Sequence, residues 1–395
     1  VVYIHIPYCR SFCTYCDFYS EIPVSGFEEF GKAVCAEIRQ RAGEITAEHN
    51  TLYIGGGTPS VLPPSVLYDI VSELRISVPE CSGGFTEFTV EVNPDDIVSR
   101  GHVYAESLLK AGVDRVSMGV QSFDDRVLRW MNRRHDSETA VKAYRILREA
   151  GIENISIDLI FGYDLMSVPG MMTSSYGDRE IFDHWRKTVY AALEISGDGC
   201  PPKHISAYQM SVEDGSALAC MLRDGRYREA PENICAGQYE ILCGMLADAG
   251  YDHYEISNFA LSGFEAKHNS AYWSHIPYVG IGPAAHSLCV NKDGVLERRW
   301  NVDNINSYIC SAESGNWGRT VGSEVLTEDM FRTERIMLAL RTSRGIEYDC
   351  LKSSVSMRKL DSMMESGKLV PAGQDCLRIP EKYFFISDSI ISELI

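Results

Sequence analysis

No stretch of this 395-residue chain strings together the roughly 18 apolar residues that a membrane-spanning helix requires. Positive charge is scarce: 37 Lys and Arg stand against 55 Asp and Glu, a net charge of −18. A polyanion of that kind repels nucleic acid, so a general nucleic-acid partner is excluded. The opening residues, VVYIHIPYC, lack a basic region, a cleavage site and an amphipathic transit segment, and the expectation is a cytoplasmic protein. Internal repeats and low-complexity tracts are missing too. The remaining composition, 45% hydrophobic and 23% charged, is that of a globular protein of two to three compact units.

Cysteine, by contrast, is plentiful: 13 residues, an odd number. Most, such as Cys35, Cys235 and Cys243, sit in apolar periodic segments, where free cysteine behaves as a small buried hydrophobe. Ten are therefore read as packing residues. Only Cys9, Cys13 and Cys16 cluster, as CxxxCxxC, directly after a first predicted strand. Three thiolates on one loop can each hold one iron of a cubane cluster, which usually takes four protein sulfurs. A zinc site would need a second paired motif, and no second CxxC exists. A thioredoxin-like pair at Cys13 and Cys16 would leave Cys9 unexplained.

Short β-rich runs at Val1 to Ile6, Leu52 to Ile54, Phe88 to Val92, Arg115 to Val120, Ile155 to Ile160 and Ile205 to Gln209 alternate with amphipathic helical stretches. Such alternation predicts an α/β fold of about six parallel βα units before residue 230, with chemistry at the C-terminal strand ends. The segment from Gly162 to Asp178 breaks the rhythm and reads as a long loop, either a lid or a surface insertion. A region of aromatics, His and Gly follows, and the tail from about residue 323 reads as a small separate domain. Gly280-Ile-Gly282-Pro-Ala-Ala285 fits a dinucleotide fingerprint, but Pro283 and the absence of a βαβ setting reject that reading.

Several segments carry a resemblance: IHIPYCRSFCTYCDF, GGGTPS, VEVNPDD, RVSMGVQSFDDRVLRWMNR, DLIFG, HISAYQMS, HNSAYW and GIGPAAHS. Through these the chain resembles the radical S-adenosylmethionine (SAM) family of oxygen-independent coproporphyrinogen III oxidases and their relatives, the heme chaperones. The resemblance implies a partial (β/α)6 barrel over residues 1–230, a family-specific region over 231–322 and a winged-helix-like α+β domain over 323–395. It also implies a 4Fe–4S cluster on Cys9, Cys13 and Cys16, with SAM on the open iron. A reduced cluster of this kind cleaves SAM to a deoxyadenosyl radical, for which an electron donor would be a partner.

The resemblance assigns SAM contacts to Tyr3, Tyr15, Gly56, Gly57, Thr58, Glu91, Gln121, Arg133 and Asp158. Read alone, GGGTP could be a turn, Asp158 a structural carboxylate, and Arg133 a solvated surface charge. His268, in HNxxYW, matches a motif of the heme-chaperone branch and is the expected heme ligand, with a packed core histidine as the alternative. Three features favour a heme carrier with an acceptor protein over an oxidase. Phe18 stands where the oxidases have a further cysteine, the oxidases' N-terminal extension is not seen, and HNxxYW is present. Two departures from the family are Ala284, usually a glycine, and the Gly162 to Gly170 segment, usually a compact GLPGQT-like turn.

Overall fold

In the strand Arg115–Gln121, Val116, Met118 and Val120 are fully buried, while Ser117, Gly119 and Gln121 take the alternate face. The structure, a computed structural model, describes residues 1–23, 26–45, 50–171, 177–292, 294–315 and 321–395. Six strands, β1 (Val2–Ile6), β2 (Thr51–Gly56), β3 (Glu87–Val92), β4 (Arg115–Gln121), β5 (Asn154–Phe161) and β6 (His204–Gln209), lie parallel in chain order. Crossovers run through α1 (Phe27–Arg41), α2 (Pro64–Ser77), α3 (Pro94–Ala111), α4 (Asp125–Trp130), α5 (Ser137–Glu149) and α6 (Asp178–Leu193). The apolar face of each strand, including Ile54, Val90, Val116 and Ile157, belongs to the same buried cluster as Val34, Ile70, Leu108 and Leu147 of the helices. The opposite face carries Tyr53, Glu91, Ser117, Asp158 and Ser206, which line a cavity. The core thus lies between sheet and helices, and the enclosed side is polar.

Helix boundaries follow local chemistry. Asp124 and Asp136 cap α4 and α5 by accepting from the backbone nitrogens of Arg126 and Thr139. The predicted stop at Gly112 is a left-handed residue, φ 96°, that ends α3. All six predicted strands form within two residues of their expected ends.

The sheet does not stop at residue 230. After α7 (Ala217–Arg223) and α8 (Glu232–Asp248), β7 (Asp252–Glu255) and β8 (Asn258–Ala260) pair antiparallel beyond β6. Then α9 (Lys267–Trp273) leads to β9 (Val279–Ile281), which pairs parallel with β1 at the opposite edge. A strand therefore does run through Gly280, but β10 (His286–Val290) follows it rather than a helix, so no dinucleotide unit forms. β10 pairs with β11 (Leu296–Asn301), and after α10 (Ile305–Ser314) comes β12 (Val321–Val325) on its far side. The buried Glu37 carboxylate in α1 binds this region to the core. It accepts from Arg41 (3.0 Å), Gly282 N (2.9 Å), Asn301 (2.8 Å) and Tyr308 (2.7 Å).

The tail runs α11 (Glu328–Ala339), β13 (Ile346–Glu347), α12 (Tyr348–Ser354), α13 (Met357–Glu365), β14 (Val370–Ala372) and β15 (Cys376–Arg378), then α14 (Ser387–Leu394). Helix, strand, two helices and a two-stranded wing are the order expected of a winged helix. Of the loop predicted from Gly162 to Asp178, residues 172–176 lie outside the described residues. Its first half is not a loose insertion: Tyr163, Leu165 and Val168 join Val127, Trp130 and Leu218 in a second apolar cluster, against which Tyr15 packs.

Candidate functional site

The loop bearing Cys9, Cys13 and Cys16 leaves the C-terminal end of β1 and is tied down on three sides. Cys9 N donates to Glu21 O (3.0 Å), Thr14 N to Met131 O (3.1 Å), and Leu218 N to Thr14 O (2.7 Å). Asn132 Nδ2 donates to Phe12 O (2.7 Å), so the end of α4 and the start of α7 both fix the loop. All three thiols are free and half-buried. Burial raises the Cys9 thiol above its ordinary value and pushes Cys16 up to about 11, so iron would have to displace protons on binding. Arg133 donates to Cys13 Sγ at 3.3 Å, and Thr58 Oγ1 lies 3.4 Å from Cys9 Sγ. These contacts suit anionic sulfur.

The three sulfurs do not converge on a point that one ion could share. Among the described residues, the group whose ligand atoms all lie within 4.8 Å of one another is elsewhere, at Cys243, His253 and Glu381. A lone tetrahedral zinc would hold its sulfurs about 3.8 Å apart, whereas a cluster binds each to a separate iron. The donor set therefore fits a cluster rather than a single ion.

Below the loop opens a cavity of about 1180 Å³. Cys9, Cys13, Cys16 and Phe18 line it together with Tyr15, Gly56, Gly57, Thr58, Glu91, Gln121, Arg133 and Asp158. Eight of the nine expected SAM contacts thus share one wall system with the cysteines. Tyr3 does not: it is absent from the lining, and its hydroxyl meets His5 Nδ1 at 3.0 Å.

Each wall residue has a local cause. A Cβ on Gly57 would lie 2.8 Å from Tyr8 O and 2.9 Å from Ile6 O, so only glycine lets β2 approach the cysteine loop. Gly56 N donates to Glu91 Oε2 (3.1 Å) and Tyr53 to Glu91 Oε1 (2.7 Å). Burial nevertheless raises Glu91 to about 7, and these donors only partly offset it. Gln121 has φ 69° beside a register shift between β4 and β5, a strained backbone for a side chain that faces the cavity. Arg133 is no surface charge; besides Cys13 it donates to Gly119 O (2.6 Å) and Asn93 Oδ1. Asp158 accepts from Ser117 (2.9 Å) and Ser156 (3.2 Å) and also lines the cavity.

His268 lies apart. It is 1% exposed in α9, with Nδ1 3.0 Å from Thr51 Oγ1 and Nε2 2.9 Å from Tyr272 Oη. Burial brings its pKa down to about 3. The buried Glu87 carboxylate accepts from the backbone nitrogens of Lys267 and His268 and seats the helix start (2.8 and 2.9 Å). Of the motif, Asn269 faces the cavity.

Sequence reasoning missed Tyr53 and Arg115. Arg115 is 2% exposed, lines the floor of the cavity and leaves Nε without an acceptor. The signal was present: Arg115 shares the alternating face of Ser117, Gly119 and Gln121.

Comparison with known proteins accords with this geometry. The family model for the radical SAM superfamily matches residues 3–172. Heme chaperone HemW of Bacillus subtilis is 34% identical over 368 residues, covering 92% of this chain and 89% of the relative. Heme chaperone HemW of Mycobacterium tuberculosis is 30% identical, covering 100% and 94%. Among solved structures, coproporphyrinogen III oxidase (HemN) from Escherichia coli, a radical SAM enzyme, superposes with a TM-score of 0.76 at 19% identity. That superposition covers 99% of this chain and 89% of that one, a likeness of fold. Membership implies a 4Fe–4S cluster and SAM as cofactors. The chain belongs to the radical SAM superfamily and, within it, to the family of the HemW heme chaperones.

Proposed function

We propose that this chain is a heme carrier that retains a cluster and a SAM site and passes heme to an acceptor protein. Cys9, Cys13 and Cys16 would hold the cluster. Gly56, Gly57, Thr58, Glu91, Gln121, Arg133, Asp158 and Tyr15 would hold SAM, while Tyr3, outside the cavity lining, would not touch it. When bound, a reduced cluster supplies an electron to the sulfonium of SAM. The protein's own contribution is to keep Arg133 against sulfur, to present the Glu91 carboxyl to ribose hydroxyls, and to enclose both in a polar chamber.

The observation that carries the carrier reading over the oxidase is Phe18. It is 67% exposed at the cavity mouth, where the resembling oxidases have a cysteine. An apolar aromatic there suits the face of a porphyrin and offers no thiol for redox or ligand chemistry.

His268 is the proposed iron ligand, through Nε2. This requires the tautomer whose Nδ1–H donates to Thr51, with Nε2 accepting from Tyr272, and it requires α9 to move off β2. Iron and the Tyr272 hydroxyl then compete for one lone pair. Tyr272→Phe should tighten heme binding several-fold, and His268→Ala should weaken it and move the Soret band, both measured by heme titration. A Soret spectrum and affinity unmoved by either change would remove His268 from the site.

A further inference from the structure

Cys243 was read as a packing residue, yet its sulfur sits in a polar cluster far along the chain from the cysteine loop. The thiol lies on α8, His253 on the edge strand β7, and Glu381 in the short turn between β15 and α14. Cys243 Sγ is 3.8 Å from His253 Nδ1, and Glu381 Oε1 is 3.0 Å from the same nitrogen.

The hydrogen bonds around His253 decide which nitrogen carries a hydrogen. Tyr239 has one hydroxyl hydrogen, and it is donated to Ile256 O at 2.6 Å. The Tyr239 oxygen, 3.2 Å from His253 Nε2, must then accept from Nε2–H. In the neutral ring this leaves Nδ1 as a bare lone pair, facing a carboxylate oxygen and a sulfur. The Cys243 thiol can donate its hydrogen to that lone pair, but the Glu381 oxygen, 3.0 Å from it, cannot, and two such atoms repel unless a cation lies between them. The cation is either a proton on Nδ1 or a metal ion.

Several features favour a metal over the proton. The ring cannot swing away: it stacks on Phe259 at 4.1 Å and meets Phe384 edge-on at 4.9 Å. Tyr239 supplies the outer hydrogen bond that metal-binding histidines ordinarily have. A tetrahedral ion with ordinary bond lengths would place sulfur and nitrogen about 3.5 Å apart, and nitrogen and oxygen about 3.4 Å. The observed 3.8 and 3.0 Å need shifts of only a few tenths of an ångström. Glu381 is 52% exposed, which leaves water a route to a fourth position.

We infer that Cys243, His253 and Glu381 form a binding site for a divalent ion of the zinc class. The ion would displace the Cys243 thiol proton to solvent on binding, and one thiolate, one imidazole and one carboxylate select that class over magnesium or calcium. Its three ligands come from α8, β7 and the C-terminal domain, so the ion clips that domain onto the sheet edge.

The test is a cobalt(II) titration of the full-length, cluster-reconstituted protein, followed by absorption. The expected result is one equivalent giving a thiolate-to-cobalt charge-transfer band, lost in Cys243→Ser and requiring at least tenfold more cobalt in Glu381→Gln. Zinc at one equivalent should raise the melting temperature of the unaltered protein and not that of Cys243→Ser. No charge-transfer band, as a protonated His253 paired with Glu381 would give, overturns the site. So does a band that persists unchanged in Cys243→Ser, since other cysteines would then be its source.

Discussion

Glu91 contributes two hydrogen-bond acceptors to the chamber at a cost to the fold. Its folded pKa of about 7 lies above the ordinary value of 4.5. A raised carboxyl favours the folded state only while protonated, so stability is lost as pH rises from about 4.5 to about 7 and no further beyond. Glu91→Gln should therefore stabilise the ligand-free protein at pH 8 by at most about 3 kcal/mol, with little effect at pH 4.5. Melting temperatures across that range check this, and the same change should weaken SAM binding. Ala284 offers a second case. The resemblance implies glycine here, and the structure holds this alanine at φ 57°. Left-handed backbone costs a non-glycine residue about 1–2 kcal/mol, partly offset by the greater entropy that glycine loses. Ala284→Gly should raise stability by about 0.5–1 kcal/mol in a denaturant titration.

At the scale of elements, the six long strands were legible because β-branched runs between helical stretches have few other readings. Strands β7, β8 and β9 were not, since three or four residues carry too little alternation. The place of the cysteine loop, directly after the first strand, was legible because its spacing is local. His268 was legible only as a motif member. Its burial depends on Thr51, 217 residues away, which no local pattern reveals. The packing reading of the other cysteines was too uniform: Cys200, Cys220 and Cys310 are exposed. The loop makes a direct prediction. Anaerobically reconstituted protein should carry about four irons per chain, and Cys13→Ala should lose them while Cys235→Ala keeps them. Full iron content in Cys13→Ala, measured chemically, would remove the three-cysteine assignment.

Across the whole molecule, the winged-helix tail docks on the exposed side of β7 rather than standing free. Ile256 N donates to Arg341 O (3.1 Å), Ser343 N to Tyr254 O (2.9 Å), and Glu334 bridges His275 (3.1 Å) and Arg298 (2.8 Å). Covering an edge strand in this way removes a site of unwanted pairing. No helix among the described residues is long and apolar enough to cross a membrane. The central claim is that this fold, shared with a porphyrinogen oxidase, serves here to carry heme. The most direct test gives reconstituted, full-length protein heme and, separately, coproporphyrinogen III with SAM and a reductant. The account predicts a Soret shift that saturates at a simple stoichiometry and no protoporphyrinogen IX. Sustained conversion without saturable heme binding would contradict it.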